Sequence, residues 1–243
     1  MTESQKQDYW KQYIKLQQRY EKLYYPKINK ALQNQVQSFI DKGMTQTALT
    51  EISYVELYGI LKDLYLKVGV VYAAKVNRMT RKERMPMGFS AEIQALVLRY
   101  FQTELLNTVN NITTKTRNDI QAILIEAQLL GLPNTEIVKA LTSLYFTKVR
   151  ARNISRTEST TASNQAATFA AQENGATTKI WISARDNRTR RRPRDQYDHL
   201  HMDGVEVPIN EPFIVSGERM MQPGDKKASA GNVCNCRCSV AFK

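Results

Sequence analysis

Apolar residues in the first three quarters of the chain recur at spacings of three and four, the period of amphipathic α-helices. The first such run covers residues 5–42, where Pro26 should interrupt the helix and Gly43 should end it. A second run begins at Thr50 and leads into a basic segment, which suits a helix C-terminus and contains Arg78, Arg81, Lys82 and Arg84.

Four further helices are predicted after this segment. The Met85-Pro86-Met87-Gly88 stretch should break the second helix, and Ser90 is a suitable N-cap for the third. A small-residue face on the last helix predicts close packing against its neighbours. The four helices are expected at 91–111, 116–131, 135–146 and 148–175.

The pattern changes after Gly175, where strand-like alternation replaces the helical period. Residues 178–183 alternate as a strand does, and short β-prone pieces follow at 205–207, 213–215 and 240–242. The sequence therefore predicts an α+β protein in two parts. Residues 1–134 form a helical N-terminal region, and residues 135–243 form a domain made of the last helix and a small, loop-rich tail from about 176.

The net charge of +12 favours a polyanionic partner, either nucleic acid or an acidic protein surface. No apolar run approaches the roughly 18 to 20 residues of a membrane span, and the N-terminus lacks the layout of a signal peptide. Three closely spaced cysteines make a poor disulfide framework. We therefore expect a cytosolic, reducing compartment.

Both histidines and all three cysteines fall in the tail, which makes zinc a candidate ligand there. The candidate ligands are His199, His201, Cys234, Cys236 and Cys238. Alternate residues on a straight strand lie roughly 6.6–7 Å apart, whereas two thiolates on one zinc cannot exceed about 4.6 Å. The chain must therefore turn at the cysteines if they bind zinc. The alternative is a pair of buried, reduced cysteines packing the last strand.

A metal-dependent hydrolase would need ligands and a general base, which His199, His201, Asp186, Asp203 and Asp225 offer. The same side chains suit hydrogen bonds to loop backbone. The sequence contains no H-E-x-x-H, G-x-S-x-G or P-loop spacing. We therefore expect a protein that is not an enzyme.

Six arginines within ten residues form a candidate contact surface for phosphates or for an acidic protein face, although a solvated basic loop would have the same composition. They are Arg185, Arg188, Arg190, Arg191, Arg192 and Arg194. On the last helix, Arg156 and Glu158 flank Thr157, and we interpret this R-T-E motif as a polar latch onto the tail.

The order of these motifs resembles the phage head-morphogenesis family typified by the Mu F protein. The resemblance covers roughly residues 135–243. Its parts are Arg156-Thr157-Glu158, Trp181, the D-x-R-x-R motif from Asp186 to Arg190, His199 with Asp203-Gly204, Glu211-Pro212-Phe213, Pro223-Gly224-Asp225 and Asn235-Cys236-Arg237-Cys238. His201 and Cys234 lie outside the family pattern.

The resemblance implies a minor head protein that is present in a few copies per particle, inside the capsid and near the portal. Its partners would be the portal protein, other capsid components and packaged DNA, and its role would lie in head assembly, DNA packaging or DNA ejection. It also implies a shared structural or metal-binding cluster at His199, Cys236 and Cys238. Two rival hypotheses are a nucleic-acid-binding module with a structural zinc and a metal-dependent nuclease or hydrolase effector.

Overall fold

The computed structural model describes residues 1–80, 89–184 and 186–243. Its helices are α1 (Glu3–Asp41), α2 (Gln46–Thr50), α3 (Val55–Thr80), α4 (Phe89–Leu129), α5 (Asn134–Leu141), α6 (Leu144–Glu173) and α7 (Ala230–Val233). Its strands are β1 (Thr178–Ile182), β2 (Glu206–Pro208), β3 (Phe213–Val215), β4 (Glu218–Met220) and β5 (Ser239–Phe242). A helical front followed by a small tail with antiparallel strands confirms the predicted α+β class.

The predicted interruption of the first helix at Pro26 is wrong, because α1 runs through it from Glu3 to Asp41. Pro26 is exposed, so water can bond the carbonyl that lacks its helical N–H partner. At the start of α1, Thr2 Oγ1 accepts a hydrogen bond from the Gln5 amide at 3.3 Å, and the Gln5 side chain accepts one from the Thr2 amide at 2.8 Å. This capping box fixes where the helix begins.

Several predicted helix boundaries also differ from the structure. The expected helices at 91–111 and 116–131 form the single helix α4, in which Thr116 is buried and donates to the Ile112 carbonyl instead of capping a new helix. The second helix begins at Val55 instead of Thr50, and the last begins at Leu144 instead of Lys148. The predicted breaker at 85–88 and the cations Arg81, Lys82 and Arg84 lie outside the described residues.

Helix α6 lies at the centre of the helical part, packed against α1 and α3. Its predicted small-residue face (Ala162, Ala166, Ala167 and Ala170) is buried in one hydrophobic core with tyrosines of α1 and α3. Small side chains let helix axes approach closely. The same core includes Ile180 and Ala241 of the tail, so the front helices and the tail share one apolar interior.

Strand β1 separates this core from a second one. It is the central strand of an antiparallel β2-β1-β5 sheet, beside a separate β3-β4 hairpin. Because side chains alternate along a strand, Ile180 and Ile182 join the helical core, whereas Trp181 joins the tail core with Phe213 and Met220. The two faces of β1 thereby fix the tail against the helices.

The other side of α6 is buried and polar, which sequence analysis did not predict. Thr160 donates to the Cys236 carbonyl at 2.8 Å, and Thr161 donates to the Gly224 carbonyl at 2.9 Å. Asn164 Nδ2 donates to the carbonyls of Pro223 at 2.9 Å and Cys238 at 3.0 Å. The tail loops are therefore held by side chains of one helix.

Within the described residues, no helix has the length and apolarity needed to cross a bilayer.

Candidate metal centre and arginine loop

His199, Cys236 and Cys238 form a buried cluster in the tail. The Nδ1 atom of His199 lies 3.5 Å from Cys236 Sγ and 3.7 Å from Cys238 Sγ. The three ligand atoms all lie within 4.8 Å of one another, and each of the three residues is at most 2% exposed. In a tetrahedral zinc site the nitrogen and sulfur ligands are separated by about 3.6 Å, so the arrangement fits three of the four ligands of a zinc ion.

The chain turns at the cysteines. Cys236 and Cys238 lie between α7 and β5, and Asn235 before them adopts a left-handed conformation with φ of 59°. The C-x-C pair therefore lies just before the last strand, in the same buried core as Val240 of β5, and its two sulfurs are close enough together to share one metal ion. Thr160 and Asn164 of α6 hold the backbone carbonyls of the two cysteines from the other side.

Asn232 orients the imidazole of His199. Its Oδ1 lies 2.7 Å from His199 Nε2, while its Nδ2 donates to the Val215 carbonyl and to Glu218, both at 3.1 Å. Because the amide nitrogen is already donating, Oδ1 must accept, so His199 carries its proton on Nε2. In the neutral ring the lone pair on Nδ1 then points to the two sulfurs, as a metal ligand requires.

The cluster also favours a thiolate in the absence of metal. A hydrogen bond from Cys238 and the neighbouring His199 hold the pKa of Cys236 well below its usual range. Burial, reinforced by the adjacent Cys236, raises the pKa of Cys238 well above its usual range. For His199, burial lowers the pKa, but the charge and hydrogen bond of Cys236 leave the net shift upward. A dication would satisfy both sulfurs as thiolates.

The other two predicted ligands lie outside this cluster. Among the described residues, the group able to hold a metal ion comprises His199, Cys236 and Cys238 alone. Cys234 is exposed at the end of α7, and His201 is exposed in the turn after His199. A small cavity beside the cluster is lined by Arg188, Thr189, Arg190 and Asn235.

The arginine loop divides into bonded and free side chains. Arg190 donates to the Cys234 carbonyl at 2.5 Å and lies 3.5 Å from Asp195, while Arg194 donates to the Thr189 carbonyl at 2.5 Å. Three other arginines of this loop are exposed, and their side chains have no hydrogen-bond or ion-pair partner among the described residues. These are Arg188, Arg191 and Arg192. Arg185 lies outside the described residues.

The predicted hydrolase carboxylates bond to backbone and to cations. Asp186 accepts from Arg237 at 2.7 Å and from the Arg188 amide at 3.0 Å. Asp203 accepts from the Ser183 amide and from Lys6, both at 2.9 Å. Asp225 is buried and accepts from the Met221 amide at 2.7 Å. Each carboxylate therefore supports a turn or an ion pair in this structure.

The R-T-E motif connects α6 with both α1 and the tail. Arg156 pairs with Glu21 of α1 at 2.7 Å and donates to Asn235 of the tail at 3.3 Å. Thr157 accepts from the Asn235 amide at 3.0 Å. The buried Glu158 pairs with Lys226 at 2.5 Å and accepts from Tyr65.

Two residues of this region carried no sequence signal. Asn232 sits in an unremarkable N-V-C segment, and its role depends on a histidine 33 residues away. Lys6 lies 197 residues from Asp203 and in sequence is one of many lysines on the first helix. Covariation between these positions in an alignment could have revealed both contacts.

Comparison with known proteins places this site in a family. The family model described as Phage Mu protein F like protein matches residues 118–241, which include the cluster of His199, Cys236 and Cys238, the arginine loop and the R-T-E motif. Searches of curated proteins and of solved structures gave no match. The family match covers half of the chain and begins within α4. The chain belongs to the phage Mu F-like family of head-morphogenesis proteins.

Proposed function

We propose that the protein is a minor component of the phage head, located inside the capsid at the portal vertex in several copies per particle. The family match over residues 118–241 carries this proposal, because that range spans the whole tail and the helix that holds it. Its partners are the portal protein and other capsid components. The protein enters the particle during assembly in the host cytoplasm and acts in head assembly, DNA packaging or DNA ejection.

Contact with packaged DNA is part of this proposal. The chain carries a net charge of +12, and the loop arginines Arg188, Arg191 and Arg192 have side chains directed to solvent without partners among the described residues. Free cations gain affinity for a polyanion by releasing its counterions. A protein facing a packaged genome would use such charges without reading sequence.

A structural zinc at His199, Cys236 and Cys238 is the second part of the proposal. The nitrogen–sulfur distances and the orientation imposed by Asn232 support it. The ion would tie the His199 loop to the segment before β5. We further propose that the protein catalyses no reaction, since Asp186, Asp203 and Asp225 are engaged in structural hydrogen bonds.

Quantitative mass spectrometry of purified particles tests the head-protein proposal. A few to a few tens of copies per capsid is the expected result, and particles that lack the protein should show defects in assembly or infectivity. The proposal fails if particles assemble normally and are infectious without it.

A free nucleic-acid-binding zinc module is the second candidate, because the arginine loop and the zinc ligand His199 belong to one segment. In that case DNA binding would disappear when the metal is removed, and the protein would be absent from particles. The two measurements together separate the candidates.

A further inference from the structure

The outward face of α1 carries a row of cations that the site described above does not use. We call it the α1 stripe, and its members are Lys11, Lys15, Arg19, Lys22 and Lys30. All five are exposed. At 100° per residue they fall within an arc of about 100° on the helix, and at 1.5 Å per residue the row is about 28 Å long.

This face is opposite the one that α1 buries. The buried side chains of the helix include Tyr13, Tyr24 and Ile28, which pack against α3 and α6. On a helical projection their centre lies about 180° from the centre of the α1 stripe. The five cations therefore point away from the protein, where a partner can reach all of them together.

Carboxylates of the protein do not neutralise the stripe. Among the described residues, no member of the α1 stripe has an ion pair. On the flanks of the stripe, Lys27 pairs with Asp63 and Glu21 pairs with Arg156. Asp8 lies at the N-terminal end of the face and Asp41 beyond its C-terminal end. The stretch between them carries cations without a single exposed carboxylate on the same face.

Neighbouring groups extend the positive surface. Arg152 of α6 lies over the ring of Tyr25 with its guanidinium carbon 5.8 Å from the ring centroid. On the α3 side, Lys67 and Lys27 both pair with Asp63, at 2.9 Å and 3.8 Å. The positive surface therefore extends from α1 towards Arg152 of α6.

The composition of this face fits phosphate better than it fits a protein surface. Four of the five cations are lysines, which act as point charges without the planar fork that suits paired carboxylates. The exposed positions in and beside the arc include Gln12, Gln18, Pro26 and, at one edge, Leu23, which is 46% exposed. The face therefore offers few of the aromatic or aliphatic anchors on which protein interfaces depend. A straight row of about 28 Å spans about eight base pairs of duplex DNA.

We propose that the α1 stripe binds the phosphate backbone of duplex DNA without reading its sequence. The inference rests on the proposed head function for its biological setting, but it concerns a different surface from the arginine loop. It assigns the main DNA contact to the first helix.

Two matched variants of the full chain test this assignment. The α1 variant K11Q/K15Q/K22Q and the loop variant R188Q/R191Q/R192Q each remove three exposed positive charges. Binding to a 20-base-pair duplex of random sequence is followed by fluorescence anisotropy at several salt concentrations. Circular dichroism and thermal unfolding establish that both variants retain the fold.

We expect the α1 variant to bind at least about tenfold more weakly at moderate salt, and the loop variant to lose distinctly less affinity. The slope of log K against log salt should fall in magnitude by about 2.7 in the α1 variant, since each phosphate contact contributes about 0.9. A loop variant that loses as much affinity as the α1 variant, or more, overturns the inference. So does a wild-type protein that fails to bind duplex at low salt. The proposed location in the phage head is judged by particle content and stands after either failure. A wild-type protein that fails to bind duplex would, however, also contradict the proposed contact with packaged DNA, whereas a loop variant with the larger loss would leave that contact with the arginine loop.

Discussion

The Nζ atom of Lys6 lies 2.9 Å from Oδ2 of Asp203, although 197 residues separate them in the chain. Their side chains are only 9% and 7% exposed, and Oδ1 of Asp203 accepts from the Ser183 amide. Gly204 follows with φ of 79°, and a Cβ there would lie 2.9 Å from Lys6 Nζ. The D-G motif of the tail therefore packs against the first turn of α1 and holds it through the Lys6–Asp203 ion pair.

The Lys6–Asp203 pair should stabilise the protein strongly. Asp203→Ala leaves the largely buried ammonium of Lys6 with the exposed carboxylate of Glu3, 2.5 Å away, and should lower the free energy of unfolding by about 2 kcal/mol. Combining it with Lys6→Ala should cost less than the sum of the single changes, and urea unfolding of all four proteins measures this coupling. The exposed Lys139–Glu136 pair provides the control, and removing it should have little effect. Additive losses at Lys6 and Asp203 would contradict the interpretation.

Zinc should copurify with the protein at about one ion per chain, held by His199, Cys236 and Cys238. Cys236→Ser should abolish the bound zinc and lower the melting temperature, whereas Cys234→Ser should retain both because Cys234 lies outside the cluster. Elemental analysis with thermal unfolding distinguishes the two variants. Equal zinc loss in both would show that the ligand set is wrong.

Asn232→Ala provides a more graded test of the same site. It removes the acceptor that orients His199 without removing a ligand, and changes of this kind reduce metal affinity about 10- to 100-fold. Competition with a chromophoric chelator measures the affinity directly. An unchanged affinity would mean that the His199 ring is held by other contacts, such as the edge of Trp181.

Gly224→Ala should destabilise the fold much more than Gly131→Ala does. Both glycines have positive φ, at 82° and 62°, so an alanine at either position would be strained by the left-handed backbone conformation. Only Gly224 is also crowded, because a Cβ there would lie 3.2 Å from the backbone of Thr161 on α6. We expect a loss of about 1 kcal/mol at Gly131 and of more than about 2 kcal/mol at Gly224, measured by urea unfolding. Similar losses would exclude close packing of the P-G-D turn on α6.

Stability should increase with pH between about pH 8 and 10 because of Lys179. This side chain of β1 is fully buried, and its Nζ has no hydrogen-bond partner among the described residues. Burial lowers its pKa to about 8, although the charges of Asp225 and Glu211 act in the opposite direction. The unfolded chain therefore binds more protons between about pH 8 and 10, and stability rises with pH through that window. Below about pH 8 the buried Lys179 is charged, and the full free-energy cost of burying that charge applies, at most about 3 kcal/mol.

Lys179→Met should remove this pH dependence and raise the free energy of unfolding at pH 7 by about 2 kcal/mol. Denaturant titrations from pH 7 to 9 measure the effect, with the exposed Lys62→Met variant as the control for loss of one positive charge. A Lys179→Met protein with the wild-type pH profile would contradict the prediction.

The sequence predicted elements well where a local pattern is enough to form them. The alternation at 178–183 and the apolar run at 213–215 correspond to β1 and β3. Helix ends were less predictable. Local signals at Pro26 and Thr116 indicated breaks, but burial of one face of each long helix outweighs them. β4, with the sequence E-R-M, is too short and too polar to stand out.

The candidate site was predictable as a set of residue types but not as a geometry. The period of two shared by the cysteines left open whether their segment turns, and the structure, with a left-handed residue at Asn235, brings both sulfurs to one histidine nitrogen. The buried polar face of α6 was also hidden, because Thr160 and Asn164 have carbonyl partners that lie 59 to 76 residues later in the chain. Hydrogen bonds between residues so far apart in the chain leave no periodic pattern in the local sequence.

The contacts between α1 and the tail have a consequence for the order of synthesis. Tyr9 donates to the Val240 carbonyl at 2.7 Å, and the Trp10 indole donates to the Arg237 carbonyl at 3.2 Å. The ribosome makes these two aromatic residues more than two hundred positions before their acceptors. The first helix therefore cannot bury this part of its packing face until the last strand has been translated. The two ends of the chain then pack together onto α6.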